Sequence, residues 1–183
     1  PTGSTPMVVY DELSERDLDW SKATTYNLDE YLNCPIKEQT YEYFMDEMLF
    51  NNINIKRENI NFPTDGDLNY GIDVDLCLLG IGTNGHIAFN EPGSDFNSET
   101  RIVDLTENTI KDNSRFFYDI SEVPTQAVTM GLKPIMSSKR IIIMGKGEKK
   151  KDILMTALHG DITEEVPASI LQKHKNVEVI YCD

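Results

Sequence analysis

The chain has 183 residues, 39% of them hydrophobic, which is enough to bury a core as one domain and too short to expect two. Its 17 Lys and Arg stand against 31 Asp and Glu, a net charge of −14, and this argues against nucleic acid and anionic membrane, whose attraction needs clustered cations. Cys34, Cys77 and Cys182 show no paired spacing and only His86, His159 and His174 are available, so neither a disulfide framework nor a metal site is expected. No apolar run approaches the length of a membrane span, and the amino terminus lacks a basic-then-apolar leader pattern, so a cytoplasmic location is expected.

The chain opens with Pro1-Thr2-Gly3-Ser4-Thr5-Pro6, followed by residues 7–13 at helix-like spacing. Thr5 is a good N-cap and Pro6 suits the first helical position, so the N–H groups there are placed to receive a phosphate if this is more than an ordinary capped helix. Residues 23–28 are rich in β-formers and end in Asp29-Glu30-Tyr31, a strand exit carrying carboxylates. Residues 40–50 carry Tyr41, Phe44, Met45, Met48 and Leu49 at helical spacing, which predicts core packing. Residues 59–62 read as a short strand and Asp65-Gly66-Asp67 as a turn. If residues 59–62 and 74–79 are successive parallel strands, the segment 63–73 is too short for the crossover of a dozen or more residues that they need.

Residues 74–79 form a short apolar run, as in a parallel strand covered on both faces. The run stops at Gly80, Gly82 and Gly85, which permit tight turns and close approach of backbone to a ligand, and the stretch then delivers Asn84, His86, Asn90 and Glu91. In open α/β sheets ligands bind at the carboxyl ends of strands, so His86 and Glu91 on such a loop are candidates for a proton-transfer pair, against the plainer alternative of a turn or capping His. Further on, residues 101–105 are β-like, residues 110–117 are predicted helical with Arg115 on them, and residues 127–130 start another element. Residues 140–144 form the clearest remaining strand, residues 149–158 a helix with Lys150 in its first turn, Pro167-Ala168-Ser169 a loop, and residues 177–181 a last strand. Strands alternating with helices predict an α/β fold: a three-layer αβα sandwich with a mostly parallel, Rossmann-like sheet.

The run Gly80-Ile-Gly-Thr-Asn-Gly-His-Ile-Ala-Phe-Asn-Glu-Pro-Gly93 resembles the signature of the glucosamine-6-phosphate deaminases, the isomerising enzymes that make fructose 6-phosphate and ammonia. The 6-phosphogluconolactonases share the Gly-His core but not the continuation. Thr2-Gly3-Ser4-Thr5-Pro6, Asn27-Leu28-Asp29-Glu30-Tyr31 and Asn113-Ser114-Arg115-Phe116-Phe117 are similar to further family segments, so the resemblance covers nearly the whole chain. It implies one sugar-phosphate isomerase/deaminase domain over residues 1–183, lacking the family's first strand and an internal crossover helix.

The resemblance also implies roles. Gly3, Ser4 and Thr5 with Arg115 and Lys150 would bind the phosphate, Lys150 being the best match counted back from His159-Gly160. His86 would open the pyranose ring, with Glu91 orienting it, and Asp29 would move the proton between C2 and C1, with Glu30 as the fallback base. Asn84 stands where some members carry Asp, so it can hydrogen-bond His86 but supplies no charge. No metal or organic cofactor is implied, since every step is proton transfer. The partner implied is a small amino-sugar phosphate, and whether the chain forms a homo-oligomer is left open. Val103 after Thr100-Arg101-Ile102, and Ser94-Asp95 after the motif proline, depart from members activated by an acetylated sugar phosphate and imply no such activation. Three alternatives remain at this point: a 6-phosphogluconolactonase, a galactosamine-6-phosphate deaminase, or a non-catalytic sugar-phosphate sensor, which could dispense with Asp29 and Glu91.

Overall fold

The computed structural model describes residues 1–64, 70–71 and 73–182. In chain order its elements are α1 (Ser4–Glu15), β1 (Thr25–Tyr26), β2 (Asp29–Tyr31), α2 (Tyr41–Met48), β3 (Ile60–Asn61), β4 (Cys77–Gly80) and β5 (Arg101–Asp104). Then follow α3 (Glu107–Asn113), β6 (Gln126–Thr129), α4 (Leu132–Ser137), β7 (Ile141–Lys146), α5 (Glu148–His159) and β8 (Val177–Cys182), giving the mixed α/β alternation expected. The chain divides into two compact units, the first of Thr2–Asp65 with Ile102–Thr129, the second of Pro1, Gly66–Arg101 and Met130–Asp183. The turn expected at Asp65-Gly66-Asp67 lies outside the described residues. Among the described residues no helix is long and apolar enough to cross a membrane.

In the first unit β1 runs parallel to β3, and β2 runs antiparallel to β6, with β5 on the other side of β6. Its core gathers Tyr10 of α1 and Met45 of α2 with Leu49 and Phe50, and Leu13, Phe44, Met48 and Phe62 pack against them. Of the stripe read from the spacing of residues 40–50, Phe44, Met45, Met48 and Leu49 are thus core, as expected, while Tyr41 lies outside this cluster. Thr40 caps α2, its side chain accepting from Tyr43 N at 3.2 Å.

Three local expectations change in this unit. Helix α1 starts at Ser4 with Gly3 as N-cap, two residues earlier than a Thr5 cap would place it. Gly3 has φ 90° and ψ −176°, a region open essentially to glycine alone, so backbone freedom sets the start and no side chain caps it. The strand read over residues 23–28 shortens to β1, and Asp29 opens a separate strand, β2, paired with Thr129. Arg115 lies on a 3-10 turn (Ser114–Phe116) after α3, which Thr106 caps by accepting from Thr109 N.

The second unit is built on the parallel sheet β4-β7-β8, with Cys77 opposite Ile141 and Ile141 opposite Val177. Leu79, Ile141 and Ile143 are fully buried, as a strand covered on both faces requires. Helix α5 lays Leu154 and Ala157 inward, and at Gly145 of β7 a Cβ would sit 2.6 Å from Leu154 Cδ1, so glycine permits the close helix–strand contact. The stretch expected as a loop around Pro167-Ala168-Ser169 is instead a 3-10 helix, Pro167–Lys173, with Pro167, Ala168, Ser169, Ile170 and Leu171 buried. Its apolar side chains pack with α5, a tertiary gain that loop-like local composition does not show.

Candidate active site

Strand β4 ends at Gly80, and the chain then folds back on itself through two short bonds, Gly82 N to His86 O at 2.9 Å and Gly85 N to Gly82 O at 3.0 Å. Gly85 has φ 86°, and at Gly82 a Cβ would lie 2.2 Å from His86 Cε1 and Nδ1, so these two glycines are what let the imidazole sit over the turn. Among the described residues the ring's contacts are at Nδ1. Asn84 Oδ1 accepts from His86 N at 3.2 Å and lies 2.7 Å from His86 Nδ1, while Asn84 Nδ2 donates to Glu91 Oε2 at 2.8 Å. Glu91 Oε2 also lies 3.5 Å from His86 Nδ1.

This relay assigns the tautomer. A carboxylate only accepts, so Asn84 must turn its amide N–H toward Glu91 and its carbonyl toward His86, which places an N–H at Nδ1 and, in the neutral ring, the lone pair on Nε2. The structure brings His86, Asn84 and Glu91, named from the sequence, within bonding reach of one another. The Asn84 amide bridges the two groups without adding a second negative charge beside Glu91.

Behind this loop sits Asn90, wholly buried, which sequence reasoning noticed but gave no role. Its Nδ2 donates to Ile87 O at 3.0 Å and Met130 O at 2.8 Å, and its Oδ1 accepts from Arg101 Nη1 at 2.9 Å. Also in the second unit, Lys150 lies in the first turn of α5, where Gly147, with φ 84°, is the N-cap and no side chain caps the helix. Lys150 Nζ donates to Ile81 O, which holds the ammonium beside the turn that follows β4.

The first unit carries the remaining candidates. Asp29 is buried, 8% exposed, and its charge raises the pKa of three phenols, Tyr10, Tyr31 and Tyr41. Burial is the larger cause in each case, pushing Tyr31 up to about 12. All three therefore stay neutral at neutral pH, and each is near enough to Asp29 to feel its charge. The phenols of Tyr31 and Tyr41 bond each other, and Tyr41 bonds Thr2 of the loop before α1. Tyr31 and Tyr41 have ring centroids 4.7 Å apart, and Phe117 closes edge-on to Tyr31 at 6.1 Å. The rings around Asp29 went unread in the sequence, where Tyr41 looked only like part of a core stripe.

Glu30, the fallback base, is otherwise engaged. Its Oε1 accepts from Tyr31 N at 2.8 Å and Tyr41 N at 3.0 Å, and its Oε2 from Glu42 N at 2.8 Å. It is thus the carboxylate that satisfies the amino end of α2. Burial raises its pKa, more than these three bonds lower it. Gly3, Ser4 and Thr5 lie at the start of α1, and Arg115 is exposed with its guanidinium 4.7 Å over the Phe116 ring.

The family model for glucosamine-6-phosphate isomerases/6-phosphogluconolactonase matches residues 1–181. A glucosamine-6-phosphate deaminase of Lachnoclostridium phytofermentans is 49% identical over 199 aligned positions, covering 99% of this chain and 84% of the relative. That of Lactobacillus johnsonii is 48% identical over 193, covering 100% and 80%. Among solved structures, a monomeric glucosamine-6-phosphate deaminase superposes with TM-score 0.90 at 37% identity, over 98% of this chain and 82% of its own. A 6-phosphogluconolactonase of Thermotoga maritima superposes with TM-score 0.73 at 20% identity, over 98% and 82%, a likeness of fold alone.

Proposed function

Because this chain belongs to the glucosamine-6-phosphate isomerase/6-phosphogluconolactonase family, we propose that it is an isomerising deaminase, converting glucosamine 6-phosphate and water to fructose 6-phosphate and ammonia. The observation that carries this reading is the Glu91–Asn84–His86 relay at the end of β4, which presents an imidazole of defined tautomer. The high identity to deaminases, set against fold-level likeness to a lactonase, supports the same choice.

In this reading the phosphate binds at the N–H groups of Gly3, Ser4 and Thr5, with Arg115 as the forked contact and Lys150 as the point charge. His86 Nε2 takes the proton from the anomeric hydroxyl and returns it to the ring oxygen as the C1–O5 bond breaks, leaving the open aldehyde. Asp29 then removes the C2 proton, the electron pair forms the C1–C2 double bond, and O1 takes a proton from the C2 ammonium, giving the enolamine. Returning that proton to C1 gives the C2 imine. Water adds at C2 and ammonia leaves, completing the ketose. The burial of Asp29 suits this step, since a hydrogen alpha to a carbonyl is weakly acidic and needs a partly desolvated base.

The finer architecture we infer is a three-layer αβα sandwich, supported by the parallel strands in each unit and the TM-score of 0.90. The absence of an internal crossover helix is likewise our inference, supported by 199 aligned positions against a 183-residue chain. We place its work in the cytoplasm, on a small sugar phosphate.

The test measures ammonia and fructose 6-phosphate from glucosamine 6-phosphate, with galactosamine 6-phosphate and 6-phosphogluconolactone in parallel. Ammonia from glucosamine 6-phosphate is expected. Lactone hydrolysis without ammonia, ammonia from the galactosamine substrate alone, or binding without turnover would each overturn the assignment.

A further inference from the structure

Residues on both sides of Glu91 are tied to one cation. Arg101 Nη1 donates to the side chain of Asn90, the residue before Glu91, at 2.9 Å. Its Nη2 reaches Ser94 Oγ, three residues after, at 3.4 Å, and Nη1 also approaches Glu99 O at 3.4 Å. The backbone between is already tight: Asn90 N bonds Ile87 O at 3.1 Å, Ser94 N bonds Glu91 O at 3.0 Å, and Ala88 sits at φ 51°, a left-handed position that a residue with a Cβ seldom holds. Something must hold that strained turn in place.

Asn90 is the rivet, fully buried, its amide N–H groups spent on Ile87 O and Met130 O and its carbonyl on Arg101. Without the guanidinium, the carbonyl is a buried acceptor with no partner, and the turn has reason to rearrange. A forked donor suits the two anchors on either side of Glu91, because Nη1 and Nη2 of one rigid plane reach separate acceptors, whereas a lysine ammonium is a single compact centre on a flexible stem. Half-burial lowers the Arg101 pKa and the charge of Asp95 opposes that, and a guanidinium stays protonated under either influence.

We propose that Arg101 is a positioning residue for the reaction, acting through Asn90 and Ser94 to hold Glu91 against Asn84 and so to keep His86 in its Nδ1–H tautomer. This rests on the deaminase reading for its kinetic consequences, but the state of the His86 ring reports on it independently. Among the described residues its side-chain hydrogen bonds go to Asn90, Ser94 and Glu99, so in this role it governs kcat and leaves substrate binding alone.

The experiment compares Arg101→Lys and Arg101→Ala with the unaltered chain, with Ser94→Ala as the milder partner. Ring nitrogen signals of His86 by NMR in substrate-free protein should show one tautomer in the unaltered chain and a mixture in both Arg101 variants. In steady-state kinetics kcat should fall about 10–100-fold with KM nearly unchanged, as expected when a reacting group is slightly misplaced. Added guanidinium ion should restore part of the kcat of Arg101→Ala. Unchanged His86 ring signals in both variants would overturn the proposal, as would a lowered thermal midpoint with normal kcat, or a KM rise with normal kcat. If the unaltered chain released no ammonia the deaminase reading would fail, and the ring signals would still decide the role of Arg101.

Discussion

Adjacent carboxylates on β2 have opposite surroundings, and two isosteric substitutions separate them. Asp29→Asn removes a buried base among neutral phenols and should lower kcat about 10²–10⁴-fold, the usual contribution of a general base, while the fold holds. Glu30→Gln acts on stability instead. Its carboxylate oxygens accept from three backbone N–H groups, two of them at the amino end of α2, and a glutamine has one acceptor oxygen and an NH₂ that must face one of those donors. Gln also escapes the burial cost that raises the Glu30 pKa, so the three bonds do not simply add. A buried donor left without a partner costs about 1–3 kcal/mol, and about 2 kcal/mol corresponds to a midpoint about 4–8 °C lower in a chain of this size. The assay pairs thermal unfolding by circular dichroism with exchange of the substrate C2 hydrogen for solvent deuterium. Exchange should vanish in Asp29→Asn at an unchanged midpoint and persist in Glu30→Gln at a lowered one. Exchange that survived in Asp29→Asn and disappeared in folded Glu30→Gln would refute the assignment.

Arg115→Ala and Lys150→Ala should raise KM more than they lower kcat, by about 1.5–3 kcal/mol per contact, because the phosphate does not react; a normal KM in both would remove them from the phosphate site. Gly82→Ala puts a Cβ 2.2 Å from the His86 ring, so kcat should drop about 10²-fold, and a normal kcat would contradict the geometry of the turn. Saturation should be hyperbolic and indifferent to N-acetylglucosamine 6-phosphate, since Val103 and Asp95 make a poor phosphate site and Arg101 is engaged with Asn90; sigmoidal curves abolished by that sugar would count against this. Tyr31, buried and raised to about 12, binds its proton more tightly folded than unfolded. Its contribution is therefore complete below about pH 10 and lost as pH rises to about 12, a decline of about 2–3 kcal/mol in denaturant stability that Tyr31→Phe should shrink.

Much of the candidate site was legible because its parts are close in sequence. Asn84, His86 and Glu91 fall on one tight turn after an apolar strand, and a hydrogen bond between residues two to seven apart follows once the glycines are seen to close that turn. Family resemblance supplied Asp29 and the phosphate candidates, and the alternation of strands and helices supplied the α/β class. What only the tertiary structure decided involves partners far along the chain or backbone states that side-chain identity does not announce. Asp29 and Glu30 look interchangeable until the amino end of α2, eleven residues on, takes Glu30. Asn90 looks like one more polar residue of the motif until Met130, forty residues on, and Arg101 close around it. The α1 cap fell to Gly3 because a φ of 90° was needed, and the Pro167–Lys173 helix formed because its apolar side chains found α5. Local chemistry sets which groups can bond over a few residues; which distant groups compete for them is settled only when packing brings the elements together.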